Sequence, residues 1–126
     1  MRKINIEDVV KKLENEKNII KLNKENNKRY FVDTGYFLIN SSNILPIYLV
    51  EYNNEIYLAD YGQTLEGLNV DFNELNMQTQ ILIKEKLKDL EVEFDGKTLL
   101  MKVVNNYEFG CLNIFVCAIM FLQGLI

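Results

Sequence analysis

The chain has 126 residues, of which 48% are apolar and 25% are charged, a composition that fits one folded domain over residues 1–126 and excludes disordered and disulfide-rich classes. It contains no histidine, which excludes Ser-His-Asp and Cys-His catalysis and nearly all of the usual zinc sites. The net charge of −4 is uneven: residues 1–30 carry nine cations and five acids, whereas residues 31–126 carry five lysines and thirteen acids. We therefore expect the second segment to attract basic protein surfaces and to make no direct contact with nucleic acid.

The first half of the chain predicts one helix followed by antiparallel strands. Asn5 is placed to cap a helix over residues 6–16, in which apolar residues recur at helical spacing. Aromatic and β-branched runs predict strands over residues 30–32, 36–39, 47–52 and 55–60. Polar clusters predict turns at residues 25–27, at residues 40–43 and at Asn53-Asn54.

The second half predicts two further helices and a hairpin. Thr64 is placed to cap a short helical turn, and Asn73 to cap a helix over residues 74–89. That helix is predicted to bury four leucines: Leu75, Leu82, Leu87 and Leu90. Asp95-Gly96 predicts the turn of a hairpin between strands at residues 91–94 and 98–103. This order predicts an α+β fold, an antiparallel β-sheet with an N-terminal helix, a middle helix, a β-hairpin and an apolar C-terminal helix packed on it.

The apolar segment at residues 111–126 predicts a core helix. It is shorter than the roughly twenty residues that cross a bilayer, so we expect no membrane association and keep a membrane span as the minor alternative. A helix that is apolar on all sides must be covered on all sides, and a second copy of the chain is one possible cover, giving a homodimer through this helix. Cys111 and Cys117 lie in this run without other metal ligands nearby, which favours reduced thiols over a zinc site. The N-terminal residues lack the apolar stretch of a secretory signal, so we expect a cytoplasmic protein.

The segment from Asp60 to Thr64 is the densest local signal in the chain. Asp60 can accept backbone hydrogen bonds, Gly62 can adopt a positive φ and Thr64 can cap a helix, so each residue has a structural interpretation. The same turn can also present polar groups to a partner, and tyrosines beside acids are typical of protein interfaces. We predict a protein-binding surface made of these residues: Glu51, Tyr52, Glu55, Asp60, Tyr61, Asp71 and Glu74.

No motif for phosphate, cofactor or metal binding is present, so we predict no catalytic residues, no cofactor and no metal. One alternative is a divergent Mg²⁺-dependent phosphodiesterase or nuclease in which Asp33, Glu51 and Asp60 converge on the ion. The strand that carries Glu51 lacks the nearby lysine of the common restriction-type site, which favours strand-end acids without a catalytic role.

The sequence resembles the small bacterial and phage proteins grouped as domain-of-unknown-function family 1828. Asp60, Gly62, Thr64 and Leu65 match the family's central motif, and Asp95-Gly96 with the last helix follows in the family's order. The sequence departs from that pattern at residues 35–36, where the family prefers proline, and at Ala59, where it prefers threonine. The resemblance implies a mobile-element protein with an accessory or counter-defence role.

These observations together lead to three functional expectations. The first is a non-enzymatic, phage- or mobile-element-encoded protein whose acidic surface binds a basic partner, such as a host nuclease or CRISPR effector with a nucleic-acid channel. The second is the Mg²⁺-dependent phosphodiesterase described above. The third is a homodimeric structural subunit joined through the C-terminal helix.

Overall fold

The computed structural model of the protein describes residues 5–17, 20–39 and 42–125, and for residues 16 and 17 the backbone alone. The predicted turn residues Asn40 and Ser41, and the final residue of the predicted last helix, lie outside this described part. Within it, three long helices are α1 (Ile6–Lys17), α3 (Met77–Asp89) and α4 (Glu108–Leu125), and a short α2 spans Gln63–Gly67. Six strands complete the fold: β1 (Lys21–Asn26), β2 (Arg29–Asp33), β3 (Tyr48–Tyr52), β4 (Glu55–Ala59), β5 (Glu93–Phe94) and β6 (Leu99–Lys102). The predicted α+β class is confirmed.

The six strands form one antiparallel sheet in the order β1-β2-β3-β4-β6-β5. The β3–β4 hairpin closes through Asn53 and Asn54, which both have positive φ as a tight hairpin turn requires. The β5–β6 turn contains Gly96 at φ +96°, and the Asp95 carboxylate accepts hydrogen bonds from the N–H groups of Lys97 and Thr98. Both predicted hairpin turns are therefore confirmed.

The three long helices pack on one face of the sheet. Alternate residues of the central strands, such as Leu49, Ile56 and Leu58, point into the core and are almost fully buried. The buried side of α4, which includes Phe115 and Ile119, lies against this layer together with α1 and α3. We call this side of the sheet the covered face, and the opposite side, where residues such as Tyr48, Val50 and Tyr57 alternate with the buried ones, the open face.

One strand was not predicted, and one strand prediction was wrong. The polar segment Lys21–Asn26 forms the edge strand β1, whose single buried side chain is Leu22. Conversely, the aromatic run at residues 36–39 is a loop held by one isolated bridge between Phe37 and Ile44. Gly35, at φ +78°, turns the chain away after β2, so an aromatic run that looks like a strand stays on the surface.

The predicted caps of the middle helices were also misplaced. Helix α2 begins at Gln63, so Thr64 lies inside it and does not cap it. Phe72–Glu74 forms a 3₁₀ turn capped by Asp71, and α3 begins only after Asn76, whose side chain accepts a hydrogen bond from Thr79 N–H. Of the four leucines predicted to be buried, Leu87 is buried and Leu75 and Leu90 pack half-buried against the core, whereas Leu82 is exposed and its neighbour Ile83 is buried instead.

Candidate functional site

The open face of the sheet carries a contiguous aromatic cluster. The rings of Phe31 and Tyr48 meet edge to face with centroids 5.4 Å apart, and Tyr48 meets Tyr61 in the same way at 5.0 Å. The Arg29 guanidinium lies over two of these rings, 5.4 Å from the centroid of Tyr61 and 5.8 Å from that of Tyr48. Such ring pairs and cation–π contacts fix the orientation of these side chains, and the Tyr48 hydroxyl also donates to the side-chain oxygen of Gln63 in α2 at 3.2 Å.

An ion pair also holds the Arg29 side chain. Its Nε lies 2.7 Å from a carboxylate oxygen of Glu25, which comes from the neighbouring edge strand. The contact with the Tyr61 side chain, followed by the nearby charge of Glu25, raises the pKa of Arg29 above its usual value. The guanidinium is therefore a fixed cation beside the aromatic cluster.

Tyr61 reaches the open face because the chain adopts an unfavourable backbone conformation there. Its φ is +54°, in the left-handed region that bulky side chains avoid. Gly62 follows at φ +74°, and a Cβ at that position would come within 3.2 Å of the Lys97 side chain. Two consecutive left-handed residues fold the chain back over the end of β4, and 44% of Tyr61 remains exposed there. Strain of this kind is found where the surrounding structure holds a side chain in a particular place.

The buried side chain of Asp60 supports this turn. Its side chain is fully buried, and its two carboxylate oxygens accept hydrogen bonds from three backbone N–H groups: Gly62 at 2.9 Å, Thr64 at 3.4 Å and Leu99 at 2.8 Å. Burial raises the pKa of Asp60 above its usual value, although the three N–H groups act in the opposite direction. The carboxylate thus joins the β4–α2 turn to the start of β6.

A shallow groove of about 510 Å³ runs along the open face beside this cluster. Its apolar and aromatic lining includes Val50, Tyr52, Tyr57, Tyr61 and Leu100. Tyr52, at the end of β3, is 66% exposed and forms one wall. Charged residues of both signs also contribute to the lining: Lys28, Arg29, Glu51 and Glu93. The groove combines an apolar floor with a mixed polar border, an arrangement common to binding sites in proteins.

An ion pair lies at the hairpin end of the same face. Lys102 Nζ is 2.9 Å from a Glu55 carboxylate oxygen, and the Tyr57 hydroxyl donates to the other oxygen at 3.2 Å. The Lys102 hydrogen bond lowers the pKa of Glu55, and partial burial followed by the Glu55 contact raises that of Tyr57. The sheet therefore brings a distant lysine to Glu55, which lies in the stretch between Arg29 and Lys84 that contains no lysine or arginine.

The structure divides the seven residues predicted for protein binding into three groups. Glu51, Tyr52 and Tyr61 line the groove, and Glu55 borders the open face through its pair with Lys102. Asp60 is buried and its carboxylate accepts hydrogen bonds from three backbone N–H groups, so its side chain does not line the groove. Asp71 and Glu74 flank Phe72, which packs against Phe94 in the edge strand β5. They belong to a different part of the surface.

The three carboxylates of the metal alternative do not converge. Asp33 ends β2, whereas Glu51 lies opposite Lys28 at the other end of that strand, about 17 Å away at the usual rise per residue. Asp60 is buried among backbone donors. Among residues 5–17, 20–39 and 42–125, no cluster of three acidic or cysteine side chains is able to hold a metal ion.

Several residues that line the groove were not among the site residues predicted from the sequence. Arg29, Tyr57 and Leu100 occupy alternate strand positions, and that alternation was visible in the sequence. The sequence did not show which side of the sheet the helices cover. An alternating strand predicts two faces but does not identify which one stays open.

The helix α4 has 18 residues and is apolar enough, by length and composition, to cross a membrane. In the folded chain, 44% of it is buried against the rest of the domain. Of its two cysteines, Cys111 is buried and Cys117 is exposed.

A comparison with family models places the chain in a family. The model described as Domain of unknown function DUF1828 matches residues 34–121, well over half of the chain, so the resemblance found in the sequence is confirmed. No curated protein matches the chain, and no solved structure does. The matched range includes the Asp60 turn, Tyr48 and Tyr61 but not Arg29, which comes from the strand before it.

Proposed function

Because the chain belongs to the DUF1828 family, whose activity its name leaves open, we propose a function from the geometry: the protein binds another protein through the groove on the open face, and catalyses no reaction there. The observation that carries the proposal is Tyr61, a bulky residue kept at a positive φ so that its ring lies on Tyr48 beside an uncovered groove. Backbone strain that serves no packing in the core points to a functional surface.

The chemistry of the groove favours a protein as the ligand. Tyrosine and arginine are the side chains that most often dominate the energetics of protein interfaces, and both kinds are present here in fixed orientations. Tyr52 and Tyr61 provide exposed aromatic area at the wall of a concave apolar surface. We propose that the partner inserts an apolar or aromatic side chain between them, and that the charged border orients it.

The charge of the domain adds a second property to the proposed partner. The whole chain has a net charge of −4, because the thirteen acids and five lysines of residues 31–126 outweigh the cation excess of residues 1–30, two of whose cations, Lys28 and Arg29, line the groove. In the proposal, long-range attraction brings a basic surface to the domain, and the aromatic groove then holds it. An inhibitor that occupies the basic nucleic-acid channel of a nuclease or CRISPR effector, made by a phage or mobile element, would use both properties.

The experiment compares groove variants with a matched surface control. Immobilised protein captures partners from a bacterial lysate at low and at high salt, and the purified partner is then titrated by calorimetry. Tyr52→Ala and Tyr61→Gly remove ring area from the groove, and Tyr36→Ala removes a ring from a loop outside it, with an exposure between those of Tyr52 and Tyr61. Glycine adopts the positive φ at position 61 without strain, so that variant tests the ring and leaves the turn intact.

We expect each groove variant to weaken partner binding by about 30-fold or more, as interface anchors do, and Tyr36→Ala to leave the dissociation constant unchanged. High salt should slow association more than it speeds dissociation. Equal affinity in all variants would refute the proposal. Binding of single-stranded nucleic acid that is lost in Tyr61→Gly would refute it in favour of base stacking on the same rings.

A further inference from the structure

One row of side chains crosses the open face from β2 to β5. Its members lie opposite one another in the register of successive strands: Phe31, Tyr48, Ala59, Leu100 and Glu93. Residues paired in this way point to the same side of the sheet. The row starts with two rings, narrows to a methyl group at its centre and ends on an acid, and its last three members line the groove.

Ala59 makes a depression in the floor of the groove. It is almost fully buried and still lines the groove, and the rings of Tyr57 and Tyr61 line it on either side in the chain. Its small side chain leaves space between these two rings, and Leu100 continues the apolar floor from there toward the edge of the sheet. An unbranched side chain with a polar end, which buries its stem and keeps its tip near water, suits such a shape.

Glu93 lies at the end of this floor and has no cationic partner. It is exposed, and of the three ion pairs that form among the described side chains, none includes it. Lys102, its diagonal neighbour across β6, is directed to Glu55 at 2.9 Å. Burial and the contact with Glu55 raise the pKa of Tyr57, and the charge of Glu93 adds to them, so the free carboxylate lies near the Tyr57 side chain.

The same face already shows which group satisfies rings and an acid together. Arg29 lies over the rings of Tyr48 and Tyr61 and contacts the Glu25 carboxylate at 2.7 Å, so one guanidinium stacks on both rings and neutralises the acid. On the other side of Tyr61, the groove again combines tyrosine rings with an acid, Glu93. The two cations that line the groove are at β2, about 19 Å from β5 at the usual strand spacing.

We propose that this part of the groove receives an arginine side chain of the protein partner, an inference that rests on the function proposed above. The aliphatic stem lies over Ala59 and Leu100, and the guanidinium packs on the Tyr57 ring and pairs with Glu93. Arginine suits this place better than lysine, because its guanidinium is planar, weakly hydrated and able to bond a carboxylate through two N–H groups. A basic partner also agrees with the net charge of −4.

Peptide selection tests the proposal with a defined probe. A phage-displayed library of random peptides is panned on the unaltered chain, on Glu93→Gln and on Glu93→Lys. The matched control is Glu91→Gln, which removes the same charge from an exposed residue outside the groove. We expect arginine to be enriched on the unaltered chain and on the control, and acidic residues to be enriched on Glu93→Lys.

Calorimetry on a synthetic copy of the selected peptide gives the second readout. Exchanging its arginine for citrulline, which keeps the shape and removes the charge, should weaken binding about 10-fold, and Glu93→Gln should do the same.

The outcomes separate this inference from the groove proposal. Peptides that lose binding in Tyr61→Gly, but are not enriched in arginine or bind Glu93→Gln equally well, would overturn the arginine site and leave the groove proposal intact. Lysine selected as often as arginine would overturn the assignment to a guanidinium. If binding of the selected peptides depends on neither Tyr52 nor Tyr61, the groove proposal fails, and the arginine site fails with it.

Discussion

The covered and open faces of the sheet use the same strands for different purposes. On the covered face, aliphatic side chains such as Leu49 and Leu58 are sealed under helices and hold the domain together. On the open face, tyrosines and an arginine are kept in place by edge-on ring contacts and ion pairs, with none of the three long helices packed on them. The comparison teaches that order on a surface does not require burial: directional contacts between neighbouring side chains supply it.

Truncating adjacent residues of one strand tests this division most directly. Leu49 is fully buried, and its neighbour Val50 lines the groove. We expect Leu49→Ala to lower the free energy of unfolding by about 2–5 kcal/mol, because it leaves a cavity in the core. Val50→Ala should lower it by less than about 1 kcal/mol, as changes at partly exposed positions do. Urea denaturation followed by circular dichroism measures both. Similar losses in the two variants would mean that the open face is covered in solution.

The second test removes the buried carboxylate that joins the β4–α2 turn, which carries Tyr61, to the start of β6. Asp60→Ala leaves three backbone N–H groups without their acceptor, so we expect a loss on the order of 3 kcal/mol in the free energy of unfolding. The matched control is Asp71→Ala, which removes a carboxylate that accepts one N–H, from Asn73, in an exposed turn. That variant should lose only about 1 kcal/mol. Thermal denaturation compares them, and a control as damaging as Asp60→Ala would contradict the structural role given to Asp60.

The smallest effect concerns pH, and it has opposite signs at two aspartates. Hydrogen bonds from the N–H groups of Thr98 and Lys97 lower the pKa of Asp95, so its stabilising effect is present above the usual aspartate pKa of about 4 and is lost as pH falls through the lowered value. Burial raises the pKa of Asp60, so its effect is present below that usual value and is lost as pH rises through the raised one. We therefore expect the stability difference between the unaltered chain and Asp95→Asn to shrink in acid. Urea melts at a series of pH values measure it, and a difference that grows in acid would reverse the sign assigned here.

The sequence predicted those parts of the fold whose signals are local. The Asn53-Asn54 and Asp95-Gly96 turns, α1 and the apolar α4 all depend on residues close together in the chain, and all were found. The start of α3 was missed because Asn73 and Asn76 are both good caps, and the packing of Phe72 on Phe94 leaves the first of them in a separate 3₁₀ turn.

The candidate site was predicted in part, for a related reason. Tyr52 and Tyr61 were identified from composition, but the contacts of Asp60 with Leu99 and of Glu55 with Lys102 span 39 and 47 residues. Contacts at such separation depend on the strand order, which single-sequence patterns do not supply. The motif that carries the family resemblance therefore contains both a buried structural aspartate and the turn that presents Tyr61.

The polar composition of β1, because of which the sequence did not predict this strand, also protects the protein from aggregation. An edge strand offers unpaired N–H and C=O groups to any other extended chain, and exposed hydrophobic edges template amyloid-like stacking. Here that edge carries Lys21 and Lys24 and exposes five of its six side chains, while the opposite edge strand β5 is only two residues long. A second molecule that approaches the β1 edge would have to remove water from its lysines. At the β5 edge it would find only two residues with which to form strand-to-strand hydrogen bonds. The sheet can thus keep a broad face open for recognition without growing into a fibre.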